Sequence, residues 1–176
     1  MFYVFTDVDR AAALEAADRA ALLEVDGLIT QTDQMLEAMR QDRLLHDQHT
    51  ANYRGALGEI AVARVTGNEW GGYWVGGIDV LPNIEVKTIN TKGAGPYLTP
   101  ADLDDDRLEL LVGVYLEDDR SAQVLGVCSL VAGYAKGREC AERTYNYCCK
   151  HYPDTGNLRI NRRHLRPIET LKEIQQ

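Results

Sequence analysis

The first third of the chain repeats apolar positions at helical spacing. Thr6, Asp7 and Asp9 can cap the start of a first helix, which is rich in alanine and leucine and is predicted to end near Gly27. A second helix is predicted over about 30–46 and a third over 51–67, because apolar residues there recur every three or four positions. The pattern therefore predicts a helical extension over residues 1–50.

The pattern then changes to short apolar and β-branched runs. The segments IDVLP and NIEVKTI meet at Pro82 and Asn83, which predicts a hairpin with a tight turn. Two more strands are predicted in LELLVGVYL and AQVLGVCSL, and a short strand with a terminal helix in LRINRRHLRPIETLKEI. Helices, then a run of strands and a closing helix predict a single compact α/β or α+β domain whose core is residues 51–176.

Composition places the chain among soluble globular proteins, with 45% apolar and 26% charged residues in 176 positions. No apolar run approaches the roughly 20 residues that span a bilayer. The start of the chain lacks the basic segment of a signal peptide. We therefore expect a cytoplasmic protein.

The net charge of −8 is unevenly distributed. Residues 126–176 hold nine Lys and Arg against five Asp and Glu, whereas residues 1–125 hold ten against 22. Such acidity argues against tight non-specific coating of DNA, whose affinity comes mainly from phosphate neutralisation, but not against a catalytic encounter. The densest basic stretch includes Arg162 and Arg163. A solvent-exposed charged surface and direct contacts with DNA phosphates explain this stretch equally well.

Candidate chemistry is concentrated around the predicted hairpin. Glu85 and Lys87 alternate with Val86, so they should point to one face of their strand, and Asp79 can approach both across the turn. Two carboxylates with a lysine can hold a divalent cation, because Mg²⁺ prefers hard oxygen ligands. If the hairpin were exposed, the same three residues would form an ordinary charged surface without a metal site. Apolar flanking residues favour strands attached to the core.

A further acid, Glu59, lies among small and apolar residues in the helix GALGEIAVA. The alternative for Glu59 is a solvated acid in the first turn of a surface helix. Its apolar surroundings favour the site instead.

The order helix-Glu, strand-Asp, strand-Glu-x-Lys, further strands and a helix resembles the PD-(D/E)XK, or restriction-endonuclease-like, nuclease superfamily. The segments GALGEIAVA and LRINRRHLRPIETL resemble segments of small phage-encoded members of this superfamily. The resemblance implies a mixed sheet of four or more strands flanked by helices. It assigns Glu59 as the acid of the first core helix, Asp79 and Glu85 as metal ligands and Lys87 as the catalytic lysine. Ile78 stands where the motif name has proline.

The resemblance implies a Mg²⁺- or Mn²⁺-dependent deoxyribonuclease that hydrolyses phosphodiester bonds. Cleavage of both strands of a duplex usually needs two active sites, so we also consider a homodimer. Two alternatives stay open. One is a catalytically inactive nuclease-fold protein that binds a protein partner through residues 1–50, and the other is an enzyme acting on RNA.

Other residues carry weaker signals. Lys92 could reach a phosphate or be a solvated loop lysine. Trp70 and its aromatic neighbours could stack on bases, although packing explains them better. An exposed acidic turn or helix start explains one group better than a second cation site does: Asp102, Asp104, Asp105 and Asp106. Free thiols are favoured for the four cysteines, Cys128, Cys140, Cys148 and Cys149, over a metal cluster built from Cys140, Cys148, Cys149 and His151.

Overall fold

The computed structural model describes residues 1–28, 36–72, 78–143 and 149–171. In chain order its elements are β1 (Phe2–Val4), α1 (Asp7–Leu28), α2 (Leu36–Thr66), β2 (Ile84–Ile89), β3 (Tyr97–Leu98), α3 (Pro100–Asp104), β4 (Leu110–Leu116), β5 (Ser121–Ser129), α4 (Leu130–Arg143), β6 (Lys150–Tyr152) and β7 (Asn157–Arg159). Two 3₁₀ turns follow, Arg162–His164 and Ile168–Thr170. None of the helices in these ranges is long and apolar enough to cross a membrane.

Four strands form the main sheet in the order β1-β5-β4-β2. β2 runs parallel to β4, whereas β5 is antiparallel to both β4 and β1. β4 is buried along its length except at Tyr115, as expected for a central strand that is covered on both faces. The protein is thus mixed α+β, with a four-stranded mixed sheet flanked by helices, and this part of the fold prediction is confirmed.

The second half of α2 packs against β2. The apolar face that it buries there consists of Ala56, Leu57, Ile60 and Ala61. The approach is closest at Gly58, where a Cβ atom would come 2.0 Å from Thr88 Oγ1. No other residue fits at that crossing without moving the helix. The close contact thereby sets the position of the next residue, Glu59, relative to the sheet.

A smaller sheet has the order β3-β7-β6 and is antiparallel throughout. It packs with α4 around a second core, whose buried residues are Leu98, Leu111, Cys128, Leu130, Leu158 and Ile160. α4 approaches β7 through Gly137, where a Cβ would lie 2.6 Å from Leu158 Cδ2. We call this unit, comprising β3, β6, β7, α4 and the first 3₁₀ turn, the small lobe.

The N-terminal region differs from its prediction at two points. β1 was not expected, yet it pairs with β5 at the edge of the main sheet, and Ala13 of α1 is buried in the main core. The second and third predicted helices are one continuous helix over the described residues of α2, so position 50 lies inside it. Local pattern does not reveal the pairing of a three-residue strand with a partner more than 100 residues away.

The predicted hairpin is reduced to a single residue pair. Val80 and Ile84 exchange backbone hydrogen bonds of 3.1 and 3.0 Å around a turn that contains the cis Leu81–Pro82 peptide. Asp79 precedes this pair and is not part of a strand, and the long neighbour of β2 is β4. Of the predicted terminal helix, Ile168–Thr170 forms a 3₁₀ turn, Leu171 is α-helical, and residues 172–176 lie outside the described part.

Candidate functional site

Glu59 projects from α2 close to the aromatic residue that follows the helix. Trp70 Nε1 donates a hydrogen bond of 2.8 Å to Glu59 Oε2. Trp70 is partly buried against the main core, so it packs, as the sequence favoured, and also orients the acid. Tyr73 and Trp74, which were considered for base stacking, lie outside the described residues.

Asp79 is held against β2 by the backbone. Its Oδ2 accepts a hydrogen bond of 2.7 Å from the Val86 N–H. β2 is an edge strand of the main sheet, so its outward N–H groups have no strand partner. The carboxylate occupies that edge and brings Asp79 beside Glu85, without the long hairpin that was expected to do so.

Glu85 and Lys87 share one face of β2, as alternation predicts, while Val86 is buried between them. Lys87 Nζ donates to Glu85 Oε1 and, at 2.8 Å, to Asp102 Oδ1. The Lys87 side chain is 25% exposed and that of Glu85 13%, so both are largely shielded but open to solvent at one side.

Asp102 also contacts the candidate site, which sequence reasoning missed. It lies at a helix start, one of the two positions expected, but it is buried and not exposed. Thr99 N donates to Asp102 Oδ2 at 2.6 Å and Asp102 N donates to Thr99 Oγ1 at 3.3 Å, which makes a capping box at the start of α3. One carboxylate oxygen thus caps the helix and the other holds Lys87. The spacing Thr99-Pro100-Ala101-Asp102 is the sequence signal for this arrangement.

Asp104, which ends α3, and Asp106 are exposed as expected. Asp105 is half-buried and forms an ion pair with Arg107, and its charge raises the pKa of Glu85.

Three carboxylates influence one another strongly in this site. Burial, followed by the charge of Glu85, raises the pKa of Glu59 to about 7. Burial, followed by the charges of Glu59 and Glu85, raises the pKa of Asp79 to about 8. Burial also raises the pKa of Glu85, although Lys87 opposes the shift. A cation at this position would offset the like-charge repulsion that adds to the shifts caused by burial.

Lys87 keeps its proton. Burial lowers the pKa of Lys87, but the charges of Glu85 and the hydrogen bond to Asp102 raise it by more, so the net pKa is raised. The side chain is therefore a cation at neutral pH and not a free base.

The donor set suits a hard cation held partly through water. Glu59, Asp79 and Glu85 offer oxygen atoms only, which Mg²⁺ and Mn²⁺ favour. Within the described residues, the one group with three potential ligand atoms all within 4.8 Å of each other is a different one, formed by Cys140, Cys149 and His164. The three carboxylates are therefore spread too widely for direct contact with one ion by all of them. This spacing is compatible with Mg²⁺, which commonly takes one or two carboxylates and keeps several waters.

The basic residues considered for DNA binding lie on neighbouring surface segments. Lys92 is exposed in the loop after β2, and Arg162 and Arg163 are exposed on the first 3₁₀ turn. The two segments touch, because Ile160 N donates to Pro96 O at 2.9 Å and a Cβ on Gly95 would overlap Ile160 O. The fold thus places all three in one region, although they are not ligands of the carboxylate site.

The cysteines lie beside a different histidine from the one considered with them in the sequence. Among the described residues, no disulfide joins Cys128, Cys140 and Cys149, and Cys148 lies outside the described part. His164, not His151, joins Cys140 and Cys149.

Comparisons with protein-family models, with curated proteins and with solved structures find no match for this chain. The roles of Glu59, Asp79, Glu85 and Lys87 consequently depend on their geometry and chemistry.

Proposed function

We propose that the protein is a Mg²⁺- or Mn²⁺-dependent nuclease with a restriction-endonuclease-like core that hydrolyses phosphodiester bonds in DNA. The observation that carries the proposal is the convergence of Glu59, Asp79, Glu85 and Lys87. These residues come from a helix, a loop and a strand, and burial together with neighbouring carboxylates raises the pKa of all three acids. Buried like charges of this kind destabilise a fold and are typical of functional sites.

The metal-binding residues are Asp79 and Glu85, with Glu59 acting through water. The Val86 N–H binds one oxygen of Asp79, and the Trp70 indole binds one oxygen of Glu59. Each of these hydrogen bonds orients its carboxylate and leaves the second oxygen for the cation or its water. When bound, the cation would supply Lewis acidity to a phosphoryl oxygen and lower the pKa of a water molecule.

Lys87 acts as a positioned cation. Glu85 and Asp102 raise its pKa, so the protonated side chain orients the attacking water by donating a hydrogen bond and stabilises negative charge that develops on the phosphate. Asp102 is a positioning residue, because it touches Lys87 and, through Thr99, the start of α3.

Substrate contact would use the surface that carries Lys92, Arg162 and Arg163. Exposed cations on adjacent segments can bind successive phosphates, which fixes the position of a nucleic acid without reading its sequence. DNA is proposed over RNA on the resemblance to nucleases. Competition between matched DNA and RNA oligonucleotides separates the two.

The decisive experiment is cleavage of supercoiled, linear and single-stranded DNA with Mg²⁺ or Mn²⁺. We expect wild type to cleave, and Asp79→Asn and Lys87→Ala to lose activity by about 10²- to 10⁴-fold. Lys136→Ala, which removes an exposed lysine of α4, is the matched lysine control and should retain cleavage within the same order of magnitude. Wild-type protein that binds no divalent cation by calorimetry and cleaves none of these substrates would overturn the proposal.

A second candidate, a non-catalytic interaction protein, is favoured by the exposed apolar side chains near the N-terminus. Phe2 and Val4 on the edge strand β1 are each 73% exposed, and Val8 at the start of α1 is 71% exposed. Such side chains suit a protein partner or a second copy of the chain. Under this alternative, Asp79→Asn would bind its partner as wild type does.

A further inference from the structure

We infer that the small lobe holds a structural zinc ion, bound by Cys140, Cys149 and His164. Sγ of both cysteines and one ring nitrogen of His164 lie within 4.8 Å of one another. Ligand atoms of a tetrahedral zinc site lie about 3.3–3.8 Å apart, given Zn–S and Zn–N bonds of about 2.3 and 2.0 Å. Side-chain shifts of an ångström or less would therefore close the site.

The three ligands come from three separate segments. Cys140 lies in the last turn of α4, Cys149 immediately precedes β6, and His164 ends the first 3₁₀ turn. Their convergence is a product of the tertiary fold, which distinguishes it from a chance pair of neighbours in sequence. The partial negative charge at the C-terminal end of α4 also favours a cation there.

Both sulfur atoms accept hydrogen bonds from neighbouring N–H groups, and cysteine binds zinc as the thiolate. The Asn161 N–H donates to Cys149 Sγ at 3.4 Å, and an Arg163 guanidinium N–H donates to Cys140 Sγ at 3.9 Å. Donors of this kind stabilise ligating thiolates in metal sites and orient them.

His164 supplies an independent argument. Its Nε2 is buried and has no hydrogen-bond partner. Buried polar atoms nearly always have a partner, because water is otherwise lost without replacement. Metal coordination would provide the imidazole with the polar interaction that its position lacks.

Thiolate and imidazole ligands select zinc over Mg²⁺ or Mn²⁺, so this site is chemically distinct from the carboxylate site. The small lobe has strands of only two or three residues, and two of the six buried residues around it, Leu111 and Cys128, belong to β4 and β5 of the main sheet. A bound metal commonly stabilises a unit with so small a core of its own. Zinc would join α4, β6 and the turn that carries Arg162 and Arg163, and a fourth position would remain for water or another donor.

The test is zinc content and thermal unfolding of the full chain purified under reducing conditions. We expect about one zinc per chain by mass spectrometry, and a fall in melting temperature of several degrees when a chelator removes it. With Co²⁺ in place of zinc, visible d–d bands and near-ultraviolet sulfur-to-metal bands should appear.

Cys140→Ser and His164→Asn should lose the metal, and His164→Cys should retain it. Both positions are only half-buried, so these variants should fold, whereas Cys149 is fully buried and is not used. Cys128→Ala, which removes a buried cysteine of β5 outside the proposed ligand group, is the control and should bind zinc normally. Zinc-free wild type with no response to added zinc, or equal zinc content in all variants, would overturn the inference. A Cys140–Cys149 disulfide in the purified protein would also overturn it. None of these readouts depends on nuclease activity.

Discussion

Lys87 has its charge balanced by one acid of the proposed metal site and by one acid outside it. Asp102→Asn keeps an oxygen that can accept the Thr99 N–H bond but removes the charge that holds Lys87 Nζ. We expect cleavage to fall about 10- to 100-fold, the usual effect of removing a residue that orients a catalytic group. The KM for DNA and the melting temperature should change little. Asp104→Asn, an exposed acid of the same helix, is the control, and equal activity of the two variants would remove Asp102 from the mechanism.

The raised carboxylate pKa values predict a particular pH dependence of stability without divalent metal. The ordinary pKa values of Glu59 and Asp79 are 4.5 and 3.8, and their folded values are about 7 and about 8. Between these limits the folded protein binds more protons than the unfolded chain, so the free energy of unfolding falls as pH rises through this window. The contribution of the two groups is fully present below about pH 4 and is lost by about pH 8.

Chemical denaturation at several pH values in chelator measures this effect. Asp79→Asn removes one titrating group, so its stability should fall less steeply than that of wild type. Asp104→Asn should follow wild type. Mg²⁺ should stabilise wild type more at pH 8 than at pH 5, because protons compete with the cation for the carboxylates. A slope that Asp79→Asn leaves unchanged would contradict the mutual repulsion described for this site.

Among the elements, the crossing of α2 over β2 determines where Glu59 lies. Gly58→Ala would bring a Cβ to 2.0 Å from Thr88 Oγ1 and 3.3 Å from Thr88 Cβ, which forces the helix and strand apart. We expect a loss of about 1–3 kcal/mol of stability, as is usual for overpacking, together with reduced cleavage as Glu59 moves. Urea denaturation and DNA cleavage measure the two effects.

The same helix and strand supply the controls for Gly58→Ala. Gly55→Ala meets nothing closer than 4.0 Å and should stabilise α2 by about 0.5–1 kcal/mol. Thr88→Ala removes the clashing hydroxyl, which is itself buried without a hydrogen-bond partner, so the double variant should recover most of the loss. If the double variant did not recover stability, the loss caused by Gly58→Ala would not come from its contact with Thr88.

The sequence predicted elements where the local pattern is strong and failed where partners are distant. Alternation placed Glu85 and Lys87 on one face of β2, and apolar surroundings indicated that Glu59 is enclosed; the structure agrees on both points. The partner of β2 was mistaken, because apolar runs do not encode whether a strand pairs with its neighbour or with a later strand. Asp102 was missed because a run of four aspartates within five residues is typical of exposed turns, and its capping box was not considered.

On the scale of the whole molecule, an acidic protein must approach a polyanion through a limited basic surface. The net charge is −8, yet Lys92, Arg162 and Arg163 lie exposed on segments that touch. Because affinity for DNA comes largely from the phosphates neutralised by such groups, a small number of side chains should account for most of the salt dependence of binding. This expectation distinguishes direct contacts between the basic residues and DNA phosphates from a solvent-exposed charged surface that makes no such contacts.

The double variant Arg162→Ala with Arg163→Ala tests it, measured in a Lys87→Ala background so that DNA is not cleaved. If both arginines contact phosphates, the slope of log affinity against log salt should fall by about 2, with uniform weakening across sequences. The matched control is Arg138→Ala with Arg143→Ala, which makes the same charge change in the same lobe but removes arginines paired with Glu142 and Glu139 along α4. A general loss of positive charge would affect both double variants equally through long-range attraction, which salt screens within about 10 Å at 0.1 M. A larger slope change for Arg162 and Arg163 alone therefore requires direct phosphate contacts, and equal slopes would make the basic turn an ordinary solvated face.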